Sequence, residues 1–302
     1  MFSIVTASYN RVNLLPRLYY SLYNQKMKID WIIVDDGSTD NTKEYLDSIK
    51  NNEFVNIIYI YQDNQGKHRA LNNGMKYVKL PWVAVIDSDD MIEESCLENV
   101  SNHISRLNLD EEASVGAIIF NSKDMNGDLI GTNFPFGEMK AKTFEYYDKY
   151  NITGDKFDFY KSIVLKKFPF PEFTNERFIS ESTVWSRINE EYDSYFINEA
   201  YQIVEYQEGG LSDMSFLNRV KSPNGACLCY YEASKRSLST KKNIRNKSNY
   251  YRFRLHGGHE VNLGLKINFN LECITPLLIG LSLFLKDQYK IVFHRRIKKA
   301  ND

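Results

Sequence analysis

Trp82-Val83-Ala84-Val85-Ile86-Asp87-Ser88-Asp89-Asp90 is an apolar run that ends on three carboxylates within four residues, followed at once by a helix-like segment from Met91 to Ile104. A short apolar run bounded in this way reads as a buried strand. Open α/β sheets bind ligands outside the carboxyl ends of their strands, so the acidic cluster points into a ligand crevice. All-oxygen ligation suits Mg2+ or Mn2+, above all an ion shared with substrate phosphates. The same residues also have a purely structural use, with Asp87 turning the chain and Ser88 or Asp90 capping the next helix.

The upstream sequence repeats the pattern. Phe2-Ser3-Ile4-Val5-Thr6-Ala7-Ser8-Tyr9-Asn10 is a strand running into small polar residues, and Arg11 to Asn24 carries Leu14, Leu15, Leu18 and Leu22 at helical spacing. A second strand, Trp31 to Val34, runs into Asp35-Asp36-Gly37-Ser38-Thr39-Asp40-Asn41-Thr42, where Ser38, Thr39 or Asp40 can cap a helix from Lys43 to Ile49. A third, Val55 to Tyr61, precedes Gln65-Gly66-Lys67-His68-Arg69-Ala70-Leu71-Asn72-Asn73-Gly74 and a short helix. Three strand-then-helix units followed by the acidic strand describe an α/β protein with a doubly wound, mostly parallel central sheet and its polar loops on one edge. The first strand-helix turn lacks Gly-x-Gly-x-x-Gly, which disfavours a dehydrogenase.

Thr6-Ala7-Ser8-Tyr9-Asn10, Val34-Asp35-Asp36-Gly37-Ser38-Thr39-Asp40, the Gly66 to Gly74 segment and Asp87-Ser88-Asp89-Asp90 resemble, in order and spacing, the successive signatures of family 2 glycosyltransferases with the GT-A fold. The resemblance covers the first third of the chain and says little about the last. It implies transfer of a sugar from a nucleotide donor, usually with inversion at the anomeric carbon, and a divalent cation to neutralise the leaving diphosphate.

Carried over residue by residue, the resemblance makes Asp89 the direct ligand of Mn2+ or Mg2+. Asp87 becomes a ribose or water-mediated metal contact, with Ser88 beside it. Asp36 matches the family residue that accepts a hydrogen bond from a uracil ring nitrogen; an Asx-turn is its structural alternative. Thr6, Ala7, Ser8 and Tyr9 form the floor of the base and ribose pocket. Lys67 and Arg69 flank the diphosphate, although which of Lys67, His68 and Arg69 turns inward stays open. Asn72 lines the site and Gly74 serves packing.

An inverting transfer also needs a base for the acceptor hydroxyl. In Phe173 to Ile188, the residues Phe178, Ser182, Trp185 and Ile188 mark a helix with Glu181 near its start, where the family places its acidic base. The chain has Ser180-Glu181-Ser182 instead of an acidic pair, and Glu176 and Glu172 stand in reserve. As a first-turn acid, Glu181 would instead contribute about 0.3–1 kcal/mol through the helix dipole.

Downstream, Val115 to Phe120 reads as a strand, Asp124-Met125-Asn126-Gly127-Asp128 as a hairpin turn, and Tyr195 to Asn198 and Tyr201 to Tyr206 as two closing strands. After Gly209-Gly210-Leu211-Ser212 the pattern turns helical. These readings give a GT-A catalytic domain over 1–210, with 1–105 binding the nucleotide sugar and 106–210 facing the acceptor, and a C-terminal helical extension over 211–302. The apolar run Ile274 to Leu285 is too short to span a bilayer, which takes roughly 20 residues. It precedes Lys286, Lys290, His294, Arg295, Arg296, Lys298 and Lys299. It is either a helix docked on an anionic membrane face or a buried helix with a solvated basic end. Arg252 to His259 is either a basic lid over phosphates or a helix that ends at its glycine pair.

With 43% hydrophobic and 25% charged residues the composition is that of a folded globular chain, and a net charge of −1 argues against nucleic-acid binding. Four scattered cysteines read as reduced thiols in a cytosolic setting, and a first strand at Phe2 leaves no room for a leader peptide. The function that follows is a metal-dependent inverting glycosyltransferase. It moves a hexose from UDP to a glycan or lipid-linked acceptor in bacterial capsule, exopolysaccharide or envelope synthesis, in the cytoplasm or on the inner membrane face. The alternatives are a non-catalytic nucleotide-sugar-binding scaffold subunit and a nucleotidyltransferase, which would release pyrophosphate.

Overall fold

The computed structural model describes residues 1–49, 52–207, 214–258, 261 and 273–301. They form two compact units, one of Met1–Phe170 and Val184–Asp213, the other of Pro171–Thr183 and Met214–Asp302. The expected boundary at 210 and 211 lies outside the described residues, and the second unit also includes Pro171–Thr183.

In the first unit, β1 (Phe2–Ser8) pairs in parallel with β2 (Ile29–Asp35) and β4 (Trp82–Val85), and β2 with β3 (Val55–Tyr61). β1, β2 and β4 are buried on both faces, which is why they read as continuous apolar runs, whereas the edge strand β3 is only partly buried. Helices α1 (Leu15–Tyr23), α2 (Thr42–Ser48) and α3 (Lys67–Met75) make the crossovers. Because the four strands run the same way, Ser8, Asp35, Tyr61 and Val85 all end on one edge of the sheet. Gly74 lets α3 lie close on that sheet: a Cβ there would stand 2.8 Å from Val5 Cγ1 and 3.1 Å from Val34 Cγ2.

The rest of the unit comprises β5 (Met91–Ile92), α4 (Cys96–Arg106), β6 (Val115–Lys123), β7 (Glu138–Ala141), α5 (Thr143–Tyr150), β8 (Lys156–Lys161), α6 (Ser162–Lys167), α7 (Ser182–Glu191) and β9 (Asp193–Ile203). Among the described residues the sheet has the order β3-β2-β1-β4-β8-β6-β9-β5, with β7 alongside β9. Only the β3-β2-β1-β4 half is all parallel. β8 enters antiparallel to both β4 and β6, because the Asp124 to Asp128 turn and β7 reverse the chain before it returns to the sheet. The two closing strands expected near 195 and 201 are one bulged strand, β9, parallel to β6. Trp31, Trp82, Phe120 and Phe159 fill the core at essentially zero exposure, each burial contributing about 1.5–3 kcal/mol.

The second unit contains α8 (Ser215–Lys221), α9 (Pro223–Arg236), α10 (Thr240–Gly257) and α11 (Ile274–Asn301). Its core joins Ala226, Cys227, Tyr250, Tyr251 and Phe253, and Tyr230 stacks on Phe253 with ring centroids 5.6 Å apart. The reading of 252–259 as a lid is not what forms. Arg252 holds the Asp287 carboxylate through Nε and NH2, both at 2.6 Å, and Gly258, at φ +54°, follows the end of α10; His259 lies outside the described residues. Among the described residues no helix is long and apolar enough to cross a membrane.

Candidate functional site

The polar edge of the parallel strands is knitted together loop to loop. Asn10, in the left-handed region at φ +52°, donates its N–H to Ser38 Oγ (2.9 Å) and accepts the Thr39 N–H at Oδ1 (2.8 Å). Asp40 accepts the Val12 N–H at 3.1 Å and the Thr42 hydroxyl at 2.6 Å, so it ties the first loop to the start of α2. Asp35 accepts the Ser38 N–H at 2.8 Å and the Tyr59 hydroxyl at 2.9 Å.

Asp36 is tied into the neighbouring loop. Its carboxylate is buried and accepts from Gln62 Nε2 (2.7 Å), Gln65 N–H (2.9 Å) and Gly66 N–H (2.8 Å). Three of roughly four acceptor sites on a carboxylate are thereby occupied by the β3–α3 loop, so Asp36 fastens that loop. Thr6 is fully buried, and its Oγ1 accepts the Trp31 indole N–H at 3.1 Å. Asn72 is committed to the backbone of Phe170, donating to its carbonyl at 2.9 Å and accepting its N–H at 2.8 Å.

Other predicted residues do reach the edge. Ala7 is half-buried, Tyr9 is exposed, and Ser8 Oγ is buried without a hydrogen-bond partner among the described residues. Lys67, first residue of α3, places Nζ 2.5 Å from Asp87 Oδ1, while Arg69 bonds Gln65 Oε1 at 3.1 Å. At the end of β4 the chain turns with Asp90 N–H donating to Asp87 O at 3.1 Å. Ser88 and Asp90 turn inward and are buried; Asp87 and Asp89 are partly open. Asp90 does not cap a helix, because β5 intervenes and α4 starts only at Cys96; instead it accepts from Gln202 Nε2 at 2.7 Å.

Burial first, and the charge of Asp87 second, push the Asp89 carboxyl upward. Asp90 is pushed up to about 8 by burial, then by Asp87 and Asp89. Crowded, partly desolvated carboxylates of this kind are stabilised in their charged form by a nearby cation, and in the structure Lys67 supplies one positive charge. Among the described residues no three His, Cys, Asp or Glu side chains gather about one point. The partly open carboxylates of Asp87 and Asp89 are hard oxygens, a donor chemistry that fits Mg2+ or Mn2+ shared with water and phosphate.

Arg17 carries no sequence signal, yet it holds the acidic turn: NH2 donates to the Asp89 carbonyl at 3.0 Å and NH1 pairs with Glu205 at 2.5 Å. Gln62 and Gln202 were missed for the same reason, their partners lying far away in sequence.

In the second unit, Glu181 is half-buried and directly precedes α7, whose first turn is closed by Thr183 N–H donating to Ser180 O at 3.0 Å. Glu176 is excluded as a reserve base. Its buried carboxylate accepts Asn224 N–H (2.7 Å), Asn224 Nδ2 (2.9 Å) and Gly225 N–H (2.8 Å), capping the start of α9.

Comparison with known proteins places this geometry. The protein is 34% identical over 106 residues to the minor teichoic acid biosynthesis protein GgaA of Bacillus subtilis, covering 33% of this chain and 24% of that protein. It is 25% identical over 212 residues to the GalNAc(5)-diNAcBac-PP-undecaprenol beta-1,3-glucosyltransferase of Campylobacter jejuni, covering 67% of this chain and 63% of that one. It thus spans less than two thirds of the length of either relative. Among solved structures, S. aureus TarS 1-349, also solved with UDP-GlcNAc, superposes with a TM-score of 0.61 at 18% identity, over 94% of this chain and 80% of that one. That superposition shows the fold, GT-A. The family model described as "Glycosyl transferase family 2" matches residues 3–167, from β1 through α6 and more than half of the chain, and the chain accordingly belongs to glycosyl transferase family 2.

Proposed function

We propose that the protein moves a hexose from a UDP-sugar to a hydroxyl of a growing glycan or lipid-linked saccharide, with inversion, in the synthesis of a bacterial envelope polysaccharide. The observation that carries this reading is the turn at the end of β4, where Asp87 and Asp89 stand partly open on the edge of a parallel sheet and Lys67 pairs with Asp87. Family membership, the UDP-GlcNAc complex of TarS, the teichoic acid biosynthesis named for GgaA and the undecaprenol-linked saccharide named for the Campylobacter enzyme all support it.

Asp89 would hold the divalent cation directly, and Asp87 would contact it through water or meet the ribose. When bound, Mn2+ or Mg2+ neutralises charge on the departing diphosphate. Ala7, Ser8 and Tyr9 approach the nucleoside, with the Ser8 hydroxyl available to it, and Ser88 supports the acidic turn from the buried side. Lys67 and Arg69 attract the diphosphate. Glu181 takes the proton of the acceptor hydroxyl as its oxygen attacks the anomeric carbon; the bond from that carbon to the phosphate oxygen breaks, and UDP leaves.

Incubating the purified protein with a panel of UDP-sugars and saccharide acceptors, with and without Mn2+, tests the reading. Metal-dependent release of UDP with a matching glycosylated product is expected. Pyrophosphate release would identify a nucleotidyltransferase, and binding of UDP-sugar with no product from any acceptor would identify a scaffold subunit.

A further inference from the structure

Helix α11 carries apolar residues on its outer side as well as its inner one, where Leu277 packs on the core, whereas an ordinary surface helix turns its apolar side inward. The inward side carries Gly280, where a Cβ would stand 2.6 Å from Ser248 O, Phe284, whose ring lies 4.9 Å from that of His256, and Asp287, held by Arg252 and His256. On the other side Leu278, Leu281, Leu285 and Tyr289, spaced three to four residues apart, are 60%, 41%, 59% and 72% exposed. They line a shallow groove together with Lys286 and Lys290. A contiguous exposed apolar strip marks an interaction surface.

Charge selects the occupant. From Lys286 onward the helix sequence adds Lys290, Arg295, Arg296, Lys298 and Lys299 against one acid, Asp287, which Arg252 and His256 already neutralise. The second unit as a whole has 18 Lys and Arg against 8 Asp and Glu, a net charge of +10 in a chain whose total is −1. A second copy of the same face would set one basic row near another. An anionic lipid surface meets both requirements, taking the leucines at the acyl boundary and the lysine heads, on their flexible stems, at the phosphates.

We propose that α11 is an interfacial anchor lying in the plane of an anionic membrane, with Leu278, Leu281, Leu285 and Tyr289 immersed and Lys286 and Lys290 at headgroup level. The anchor extends the proposed function by stating where the protein works, and it does not depend on the donor chemistry.

Flotation of the full chain with vesicles of phosphatidylcholine alone, or with added phosphatidylglycerol, tests it. The protein is expected to float with the anionic vesicles and not with the neutral ones. Leu281→Gln with Leu285→Gln lowers that partitioning on the order of tenfold or more, and Lys286→Glu with Lys290→Glu removes the preference for phosphatidylglycerol. All forms retain UDP binding, which serves as the control for folding. Absence of vesicle binding by the unmodified protein, or binding unchanged by both pairs, would overturn the anchor. So would sedimentation showing a dimer that Leu281→Gln with Leu285→Gln dissociates while nothing floats. Failure of UDP binding with flotation intact would instead count against the proposed function alone.

Discussion

At the scale of single residues, the acidic turn separates side chains that stay partly open from those that hold the turn in place. Asp87 and Asp89 are partly open, whereas Asp90 is locked by Gln202 and the backbone of Asp89 by Arg17. Replacing Arg17 by Met removes the donor to the Asp89 carbonyl while keeping the packing stem. It is expected to raise the KM for the donor several-fold with little change in thermal midpoint, measured by initial rates and melting. Glu181→Gln keeps the shape of the base and removes its basicity. Turnover should fall by about 100-fold or more with donor affinity retained; comparable rates would remove Glu181 from the role. The motif residues themselves were legible, because strand ends and turn chemistry are local. The hydrogen-bond partners of Asp36, Thr6 and Asn72 were not, since periodicity cannot bring Gln62, Trp31 or Phe170 to them.

At the scale of elements, α3 and its glycine decide how close the polar loops lie to the sheet. Gly74→Val places branched carbons against Val5 and Val34, and the overpacking should destabilise the protein by about 1–3 kcal/mol, read from denaturant unfolding. The four parallel strands were readable from their apolar runs, and the hairpin turn from its Asp-x-Asn-Gly-Asp sequence. The antiparallel entry of β8, the two-residue β5 and the late start of α4 were not, because each is fixed by pairing with a strand distant in sequence, β6 or β9. Helix α10 meets α11 through Asp287. Burial alone would raise that carboxyl, but hydrogen bonds from Arg252 and His256 outweigh it and hold the group below the ordinary carboxylate range. A carboxyl depressed in the folded state contributes stability that is present above its unfolded pKa, about 3.9, and lost as pH falls through the folded value. Circular dichroism below about pH 4 should therefore show helix loss with a pH dependence that Asp287→Asn abolishes; an unchanged acid profile would contradict the pairing.

At the scale of the whole molecule, the near-zero net charge of the chain conceals two units of opposite sign. A total of −1 consequently says nothing about what the basic unit attracts by itself, and the division became visible only when Pro171–Thr183 proved to belong with the C-terminal helices. The matched family region, residues 3–167, holds the acidic turn, while Glu181 and the basic helices follow it in sequence. On the proposed reading the donor-binding parts fall in the region that the family shares, and the parts beyond it are free to differ with acceptor and setting.

The central claim is that the turn at Asp87 to Asp90 binds a nucleoside diphosphate together with a divalent cation. Calorimetric titration of the protein with UDP, with and without Mn2+, measures this directly. Binding should strengthen by at least about tenfold with Mn2+, and Asp89→Asn should abolish the strengthening; UDP affinity indifferent both to Mn2+ and to Asp89→Asn would contradict it.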